Sequence, residues 1–488
     1  MTLPATTVTE QRRSFEQRLD ASPITPAMRS LWFLAAGLIA LDGFDFFIIG
    51  VALPLLQQDF SLSSFEIGAV AVAAVAGSLV GSLTLGAVTD RIGRQRMLLA
   101  DVVLFIVATT GTVLAWNAIS LILFRFLVGV AIGADYPISV SYITENVPTR
   151  SRGRMVIGAF TFQAVGALLG ALTGLGIIYS FQVLYPDSIQ PAIAYGWRWM
   201  LGVGLVLAIM VGLLRFSFLL ESPRYYLTKG NYEAASAAAT ILLQTPVTIT
   251  PETDPPSLEP RLPYKALFSA QFRRNTLLAS LPWFLQDIAT YGVGIFTPTI
   301  IGALAFAGEP NFITRELASA KGAAIVDLFL IVGFLVAVLL VERVGRIQLQ
   351  IMGFLGMAIG LLVLAWSNLG GTSNGILSVL AGFFIFNLMM NAGPNSTTFL
   401  LSGEVFPTSI RASGAGFAGA VAKAGAILGT FTLPLLKGWW GVSTLMLVLA
   451  LCCGFAAIVT YTLRIETSGH SISGDKTAPT VDLIANSE

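Results

Sequence analysis

The sequence predicts an all-α membrane protein, with twelve transmembrane helices in two pseudo-symmetric six-helix bundles. Three observations carry that prediction. The 488 residues are 55% hydrophobic and 11% charged, with a mean hydropathy of +0.78. A typical soluble domain is about 25% charged, so this outer surface faces lipid rather than water. Apolar runs of about 20 residues, the length that crosses a bilayer core about 30 Å thick, recur along the chain. Short motifs also repeat at a near-constant interval, one half of the chain against the other.

Residues 1–30 are polar and carry Arg12, Arg13, Arg18 and Arg29. They read as a cytoplasmic N-terminal tail without a cleavable signal peptide, the first span serving as signal anchor. The spans fall near 31–53, 64–88, 97–116, 118–142, 154–180 and 197–220, then 276–304, 320–341, 347–367, 373–401, 409–436 and 442–464. Their period is helical or continuous, not the roughly ten-residue alternation of an outer-membrane barrel. Spans 1–6 make an N-terminal bundle over 31–220, and spans 7–12 a C-terminal bundle over 276–464. The stretch 221–275 between them holds Pro246, Pro251, Pro255, Pro256, Pro260 and Pro263. It reads as a cytoplasmic linker with a short helix at 231–243, and 465–488 as a disordered cytoplasmic tail. With the N-terminus in the cytoplasm, Lys and Arg cluster on the cytoplasmic side at 91–96, 150–154, 215–274 and 343–346. Arg198, Arg315, Lys321 and Lys437 fall outside. That asymmetry places both termini inside, and the short loops suggest a bacterial inner membrane.

Asp90-Arg91-Ile92-Gly93-Arg94 recurs as Glu342-Arg343-Val344-Gly345-Arg346, 252 residues later. Glu145-Asn146-Val147-Pro148-Thr149-Arg150-Ser151-Arg152 recurs as Glu404-Val405-Phe406-Pro407-Thr408-Ser409-Ile410-Arg411, 259 residues later. Gly133-Ala134-Asp135 has its counterpart in Gly393-Pro394-Asn395. Three matches in register mean two homologous halves, the architecture of carriers that rock two bundles about a midplane site. Glycine permits the tight reversal in each loop. Arg91 and Arg94 either pair with carboxylates or helix ends to latch the halves in one state, or simply set topology. Spans 5 and 11 are glycine-rich, which allows close helix approach either as a moving seam between the halves or as static packing. Trp439 and Trp440 mark the outer interface.

Ionisable groups inside the hydrocarbon are functional by default, since each costs about 2.5–3.5 kcal/mol on insertion scales. They are Asp42, Asp45, Arg125, Asp135, Asp287, Asp327 and Lys423, with Glu145 and Glu404 near the cytoplasmic ends. Lys423 needs an anion, and Asp287 is the best candidate. Protonation of Asp287 would free Lys423 to take an anionic substrate, which couples protons to an anion; a purely structural ion pair is the alternative. Trp283, Asp287 and Tyr291 stand at i, i+4 and i+8, on one helix face. Asp42 and Asp45 share a face of span 1. With Asp135 and Glu145 on span 4 they form a carboxylate route for protons. Arg125 either tunes one of these acids or is a structural partner to Asp135 or a cytoplasmic carboxylate. Asp327 has no assignable role.

What is absent narrows the class. Net charge is +1, so no basic field for nucleic acid exists. Cys452 and Cys453 are adjacent in an apolar run, and His470 is the one histidine. There is no zinc motif, no histidine triad, no phosphate loop and no dinucleotide fingerprint, so neither an enzyme nor a cofactor is expected.

The loop motifs resemble the major facilitator superfamily over roughly residues 30 to 465. Asp90-Arg-x-Gly-Arg94 is similar to its loop 2–3 signature. Pro137 to Glu145, Pro148 and Arg152-Gly153 resemble the sugar-porter motif after span 4, and Glu221-Ser222-Pro223-Arg224-Tyr225 the one after span 6. A narrower resemblance is to the phosphate:proton symporters. It is carried by Gly133 to Ser139, by Trp283 to Gly292, by Gly393 to Phe399 and by Lys423 to Ala426. That resemblance implies a phosphate pocket of Tyr136, Gln163, Trp283, Asp287, Tyr291, Asn395 and Lys423, whose donors suit an oxyanion. The first span, Leu41-Asp42-Gly43-Phe44-Asp45, is closer to aromatic-acid:proton symporters, which leaves an organic acid as an alternative. The resemblance thus implies a monomeric secondary transporter, a proton-coupled symporter of a small anion, most of all phosphate. A sugar-like solute and a non-transporting nutrient receptor are the remaining readings.

Overall fold

The computed structural model describes residues 14–254, 263–306, 308–367, 375–406 and 410–465, without the side chains of 86–91, 136–137, 141, 375 and 411–412. Residues 1–13 and 466–488 lie outside the described residues, as do Pro255, Pro256, Pro260 and Pro407. So do the side chains of Asp90, Arg91, Tyr136 and Arg411.

Span 1 is the helix Pro26–Asp59. Thr25 caps it by accepting from the Met28 N–H, and Pro26 occupies the first turn, where its missing donor costs nothing. Spans 2 to 6 are Ser64–Ile92, Arg94–Val113, Ala118–Asn146, Arg152–Leu184 and Gln190–Phe218. Span 7 is broken into Arg273–Ile295 and Thr297–Ala305, bent by 63°. Spans 8 and 9 are Phe312–Val344 and Arg346–Trp366. Span 10 breaks at Gly393 into Gly375–Ala392 and Pro394–Glu404. The 53 residues Arg411–Leu463 run as two helices joined at Gly441, whose φ of 76° no helix adopts. At about 1.5 Å per residue one helix of that length would far exceed a bilayer, so Gly441 divides spans 11 and 12. Among the described residues, ten single helices and the bent pair make 11 apolar elements, and the division at Gly441 makes twelve. The helices outrun the sequence-based bounds by up to eight residues, because capped ends extend past the apolar stretch.

Span 1 packs on span 5 and span 7 on span 11; span 2 packs on span 4 and span 8 on span 10. Across the halves, span 2 meets span 11 and span 8 meets span 5. These contacts repeat the sequence repeat in space. Gly166 and Gly170 of span 5, and Gly425 and Gly429 of span 11, face their own half. A Cβ at Gly166 would overlap the Ala40 carbonyl of span 1, and one at Gly425 the Phe284 carbonyl of span 7. They therefore serve tight packing within each bundle.

On the face carrying the termini, a helix Phe15–Ala21 buries Phe15 and Leu19. Asp20 accepts from the Thr149 N–H at 2.7 Å, and Arg224 pairs with Glu16 at 2.8 Å. A helix Tyr232–Leu243 follows span 6, and Thr25 donates to its Leu242 carbonyl at 2.7 Å. The N-terminal segment is thus docked, because its two apolar side chains find a buried seat. At the opposite face Trp116, Trp366 and Trp439 are exposed near helix ends, the aromatic belt of a membrane interface.

Candidate functional site

Between the bundles lies a cavity of about 30 Å³, room for about two waters. Its walls come from spans 1, 5, 7, 8, 10 and 11: Phe47, Gln163, Trp283, Asp287, Tyr291, Leu330, Phe334, Asn391, Asn395, Phe399 and Lys423 are among them. Aromatic contacts join the two halves on either side of it. Toward the termini, Phe160 of span 5 stacks on Phe399 of span 10 at 4.3 Å, and Phe399 meets Trp283 edge-on at 4.5 Å. Toward the other face, Phe65 of span 2 meets Phe431 of span 11 at 5.4 Å.

Six of the seven pocket residues expected from the sequence line this cavity; the seventh, Tyr136, has its backbone on span 4 and its side chain outside the description. The ammonium of Lys423 lies 3.6 Å from Asp287 Oδ2 and donates to the Tyr291 hydroxyl at 2.7 Å. It also sits 4.4 Å from the Tyr291 ring centroid, a cation–π distance. Asp287 is 2% exposed. Close packing of span 11 on span 7, through Gly425 and Gly429, brings the two charges together.

An amide network holds the opposite wall. Gln286 donates to Thr290 Oγ1 at 2.8 Å and to Asn395 Oδ1 at 3.2 Å; Asn395 donates to Asn391 at 2.6 Å, and Asn391 to the Leu330 carbonyl at 3.0 Å. Sequence reading missed Gln286, Thr290 and Asn391. Their signal was the i, i+4 spacing of Gln286 with Thr290 and of Asn391 with Asn395, polar pairs inside apolar helices.

The N-terminal bundle holds a second buried cluster. Arg125 bonds Asp45 with both guanidinium ends, at 3.2 and 3.4 Å. Of the two expected readings, Arg125 thus meets one of the acids of the carboxylate route, not Asp135 or a cytoplasmic carboxylate. Asp135 is taken instead by Arg215 of span 6 at 3.1 Å, with Asp101 of span 3 at 3.9 Å. Arg215 also donates to the carbonyls of Leu34, Ala35 and Leu98. Arg215 was counted among cytoplasmic charges, but it is fully buried, because the spans 1, 3 and 4 around it supply every acceptor. Asp101 was missed although it stands within a predicted span. Both oxygens of Asp42 are buried without a hydrogen-bond partner among the described residues. Glu145 stands apart from this cluster, ten residues or about 15 Å along span 4 from Asp135.

Glu145 belongs to the loop motif. Arg94 donates to Glu145 at 2.9 and 3.2 Å. In the second half Arg346 clasps Glu342 at 2.8 and 3.0 Å and Glu404 at 3.2 and 3.3 Å. Gly93 and Gly345 adopt φ of 108° and 92°, where a side chain is strained. Each of these pairs lies within one half. Arg343 is exposed. Arg152 stands at the start of span 5, and the next residue, Gly153, lies beside Glu342 of the other half. Glu221 caps span 3, accepting from the N–H groups of Arg94 and Gln95 at 3.1 Å and of Ser222 at 3.0 Å. Burial raises its carboxyl above the ordinary value, against the opposing pull of those N–H donors and Arg94. Among the described residues no group of His, Cys, Asp or Glu is placed to hold a metal ion.

Known proteins place this arrangement. The chain is 30% identical over 433 residues to the putative metabolite transport protein YaaU of Escherichia coli strain K12, covering 89% of this chain and 91% of that one. It is 30% identical over 429 residues to inorganic phosphate transporter 1-1 of Oryza sativa subsp. japonica, covering 80% of each. Its fold matches the xylose transporter XylE of E. coli in a partially occluded inward-open conformation, with a TM-score of 0.73 at 20% identity over 92% of this chain and all of that one. The family model described as sugar (and other) transporter matches residues 31–474. That match covers most of the chain, and this chain belongs to the family: it is a multi-pass membrane transporter of the major facilitator superfamily, not an enzyme.

Proposed function

We propose that the protein is a proton-coupled symporter of a small anion, with inorganic phosphate as its substrate, working by alternating access. The observation that carries this is Lys423, an ammonium set against Asp287 and Tyr291 in a cavity shared by both bundles. An anion displaces Asp287 from Lys423 most easily when Asp287 is protonated, so proton and anion load together. Gln163, Trp283, Tyr291 and Asn395 supply donors to the oxyanion, and Tyr136 joins them from span 4. Asp42, Asp45 and Asp135, with Arg125, carry protons through the N-terminal bundle. The bodies that rock are 31–220 and 276–464, joined by 221–275, and one chain holds a whole site, so a monomer suffices. The membrane is a bacterial inner membrane with both termini cytoplasmic.

Relatives named as inorganic phosphate transporters and a fold neighbour described as a proton:xylose symporter support the reading. A second reading, an organic acid, is favoured by the aromatic lining of Phe47, Trp283, Phe334 and Phe399. Radiolabelled phosphate uptake into proteoliposomes under an imposed pH gradient decides between them. Phosphate accumulation that resists benzoate and hexoses supports the first reading; no phosphate uptake, with accumulation of benzoate, supports the second.

A further inference from the structure

Asp327 lies within span 8 and is 3% exposed. No cation and no hydrogen-bond donor faces it among the described residues. Leu330 and Phe334, three and seven positions on, line the cavity, so Asp327 shares their helix face. It stands one turn, about 4.5 Å, farther from the face that carries the termini. A bare carboxylate in that setting is costly, whereas a carboxylic acid is tolerated.

The outer piece of span 7 covers this level. Gly322 of span 8 packs on Ile301, and Gly302 of span 7 on Ser319. Continuing that antiparallel register brings the break at Phe296 opposite Asp327. The 63° bend at this break sets Thr297–Ala305 off as a separate helical piece. Its movement would uncover Asp327 to water. Around it, Asp287, Tyr291 and Lys423 face the shared cavity. Span 5 carries Arg152, Arg154 and Tyr179 toward its ends, and span 10 carries Glu404 at its end. On span 8 itself, Glu316 and Lys321 lie toward the outer end, Lys321 exposed.

We infer that Asp327 is a second proton-binding carboxyl of the transport cycle, protonated while the cavity is closed and opened to water by the outer segment of span 7. It rests on the proton-coupled reading above and adds a proton site on the C-terminal half, away from Lys423. When the outer segment of span 7 swings out, a proton binds from water on that side; it stays bound through closure and leaves to water on the face carrying the termini once the Phe160–Phe399 contact parts. Each closure then carries one proton.

The test uses Asp327→Asn, which copies the neutral acid and cannot titrate. In detergent-purified protein without substrate, infrared spectra should show the carbonyl stretch of a protonated acid that Asp327→Asn lacks. In proteoliposomes the variant should keep phosphate exchange at equal pH but accumulate about tenfold less phosphate per unit of pH gradient. Superimposable infrared spectra overturn the inference. So does a lost band with unchanged accumulation, which would make Asp327 a structural acid. If Asp327→Asn does not fold, Asp327→Glu should keep accumulation with a shifted band, and an unshifted spectrum overturns the inference. Absence of phosphate uptake in the wild type defeats the phosphate reading and leaves the infrared comparison to decide this one.

Discussion

Lys423 and Arg215 are both cations inside the membrane, and their surroundings give them opposite roles. Arg215 is fully enclosed, with Asp135 at 3.1 Å and three backbone carbonyls as acceptors. Such saturation leaves nothing for a ligand. Arg215→Met should cost about 3–5 kcal/mol, because Asp135 is left buried without its cation; a large fall in melting temperature checks it. Lys423 instead faces the cavity. Lys423→Met should fold while losing at least about 30-fold in phosphate affinity, the lower end of what truncating a buried charged pair costs. Equilibrium binding on the purified variant, beside its melting curve, separates the two effects. Lys423 was legible because a lysine deep in an apolar span has few explanations. Asp101 and Arg215 were not, because each stands near a span end, where a charge reads as interfacial until packing shows what encloses it.

At the scale of elements, the spans were legible from hydropathy, but the breaks were not. Spans 7 and 10 read as continuous apolar runs, although Pro298 and Pro394 each open a second helical piece. Proline removes a donor and disfavours helix in the residue before it, yet a membrane helix tolerates it when neighbours compensate, so sequence leaves the outcome open. The loop capped by Glu221 was recognisable as a motif, while its purpose appeared only when Gly93 proved to offer span 3 no side-chain cap. Glu221→Ala should cost about 1 kcal/mol, the usual worth of an N-cap, read from thermal unfolding. The Glu221 carboxyl has its pKa raised by burial. Its favourable contribution is therefore full below the unfolded pKa and is lost as pH rises through the folded value. The stability gap between wild type and Glu221→Gln should move in favour of the Gln variant over that window.

For the whole molecule, the repeat seen in the sequence becomes a repeat of contacts: Arg94 with Glu145 answers Arg346 with Glu404, and span 1 on span 5 answers span 7 on span 11. The Phe160–Phe399 and Phe65–Phe431 contacts join the two halves on opposite sides of one cavity. Alternating access requires that each part in turn. A short thiol crosslink between cysteines at 160 and 399, or at 65 and 431, made in a background lacking Cys452 and Cys453, should abolish transport, and reductant should restore it; transport through an intact crosslink would mean that gate need not open. Sequence gave no view of these gates, since aromatic residues in apolar helices carry no signature until two halves are brought together. The central claim remains the exchange of Asp287 between Lys423 and a proton. Its most direct test is phosphate transport by Asp287→Asn in proteoliposomes with a pH gradient: loss of uphill accumulation with phosphate exchange retained is the expected result, and accumulation equal to the wild type would contradict it.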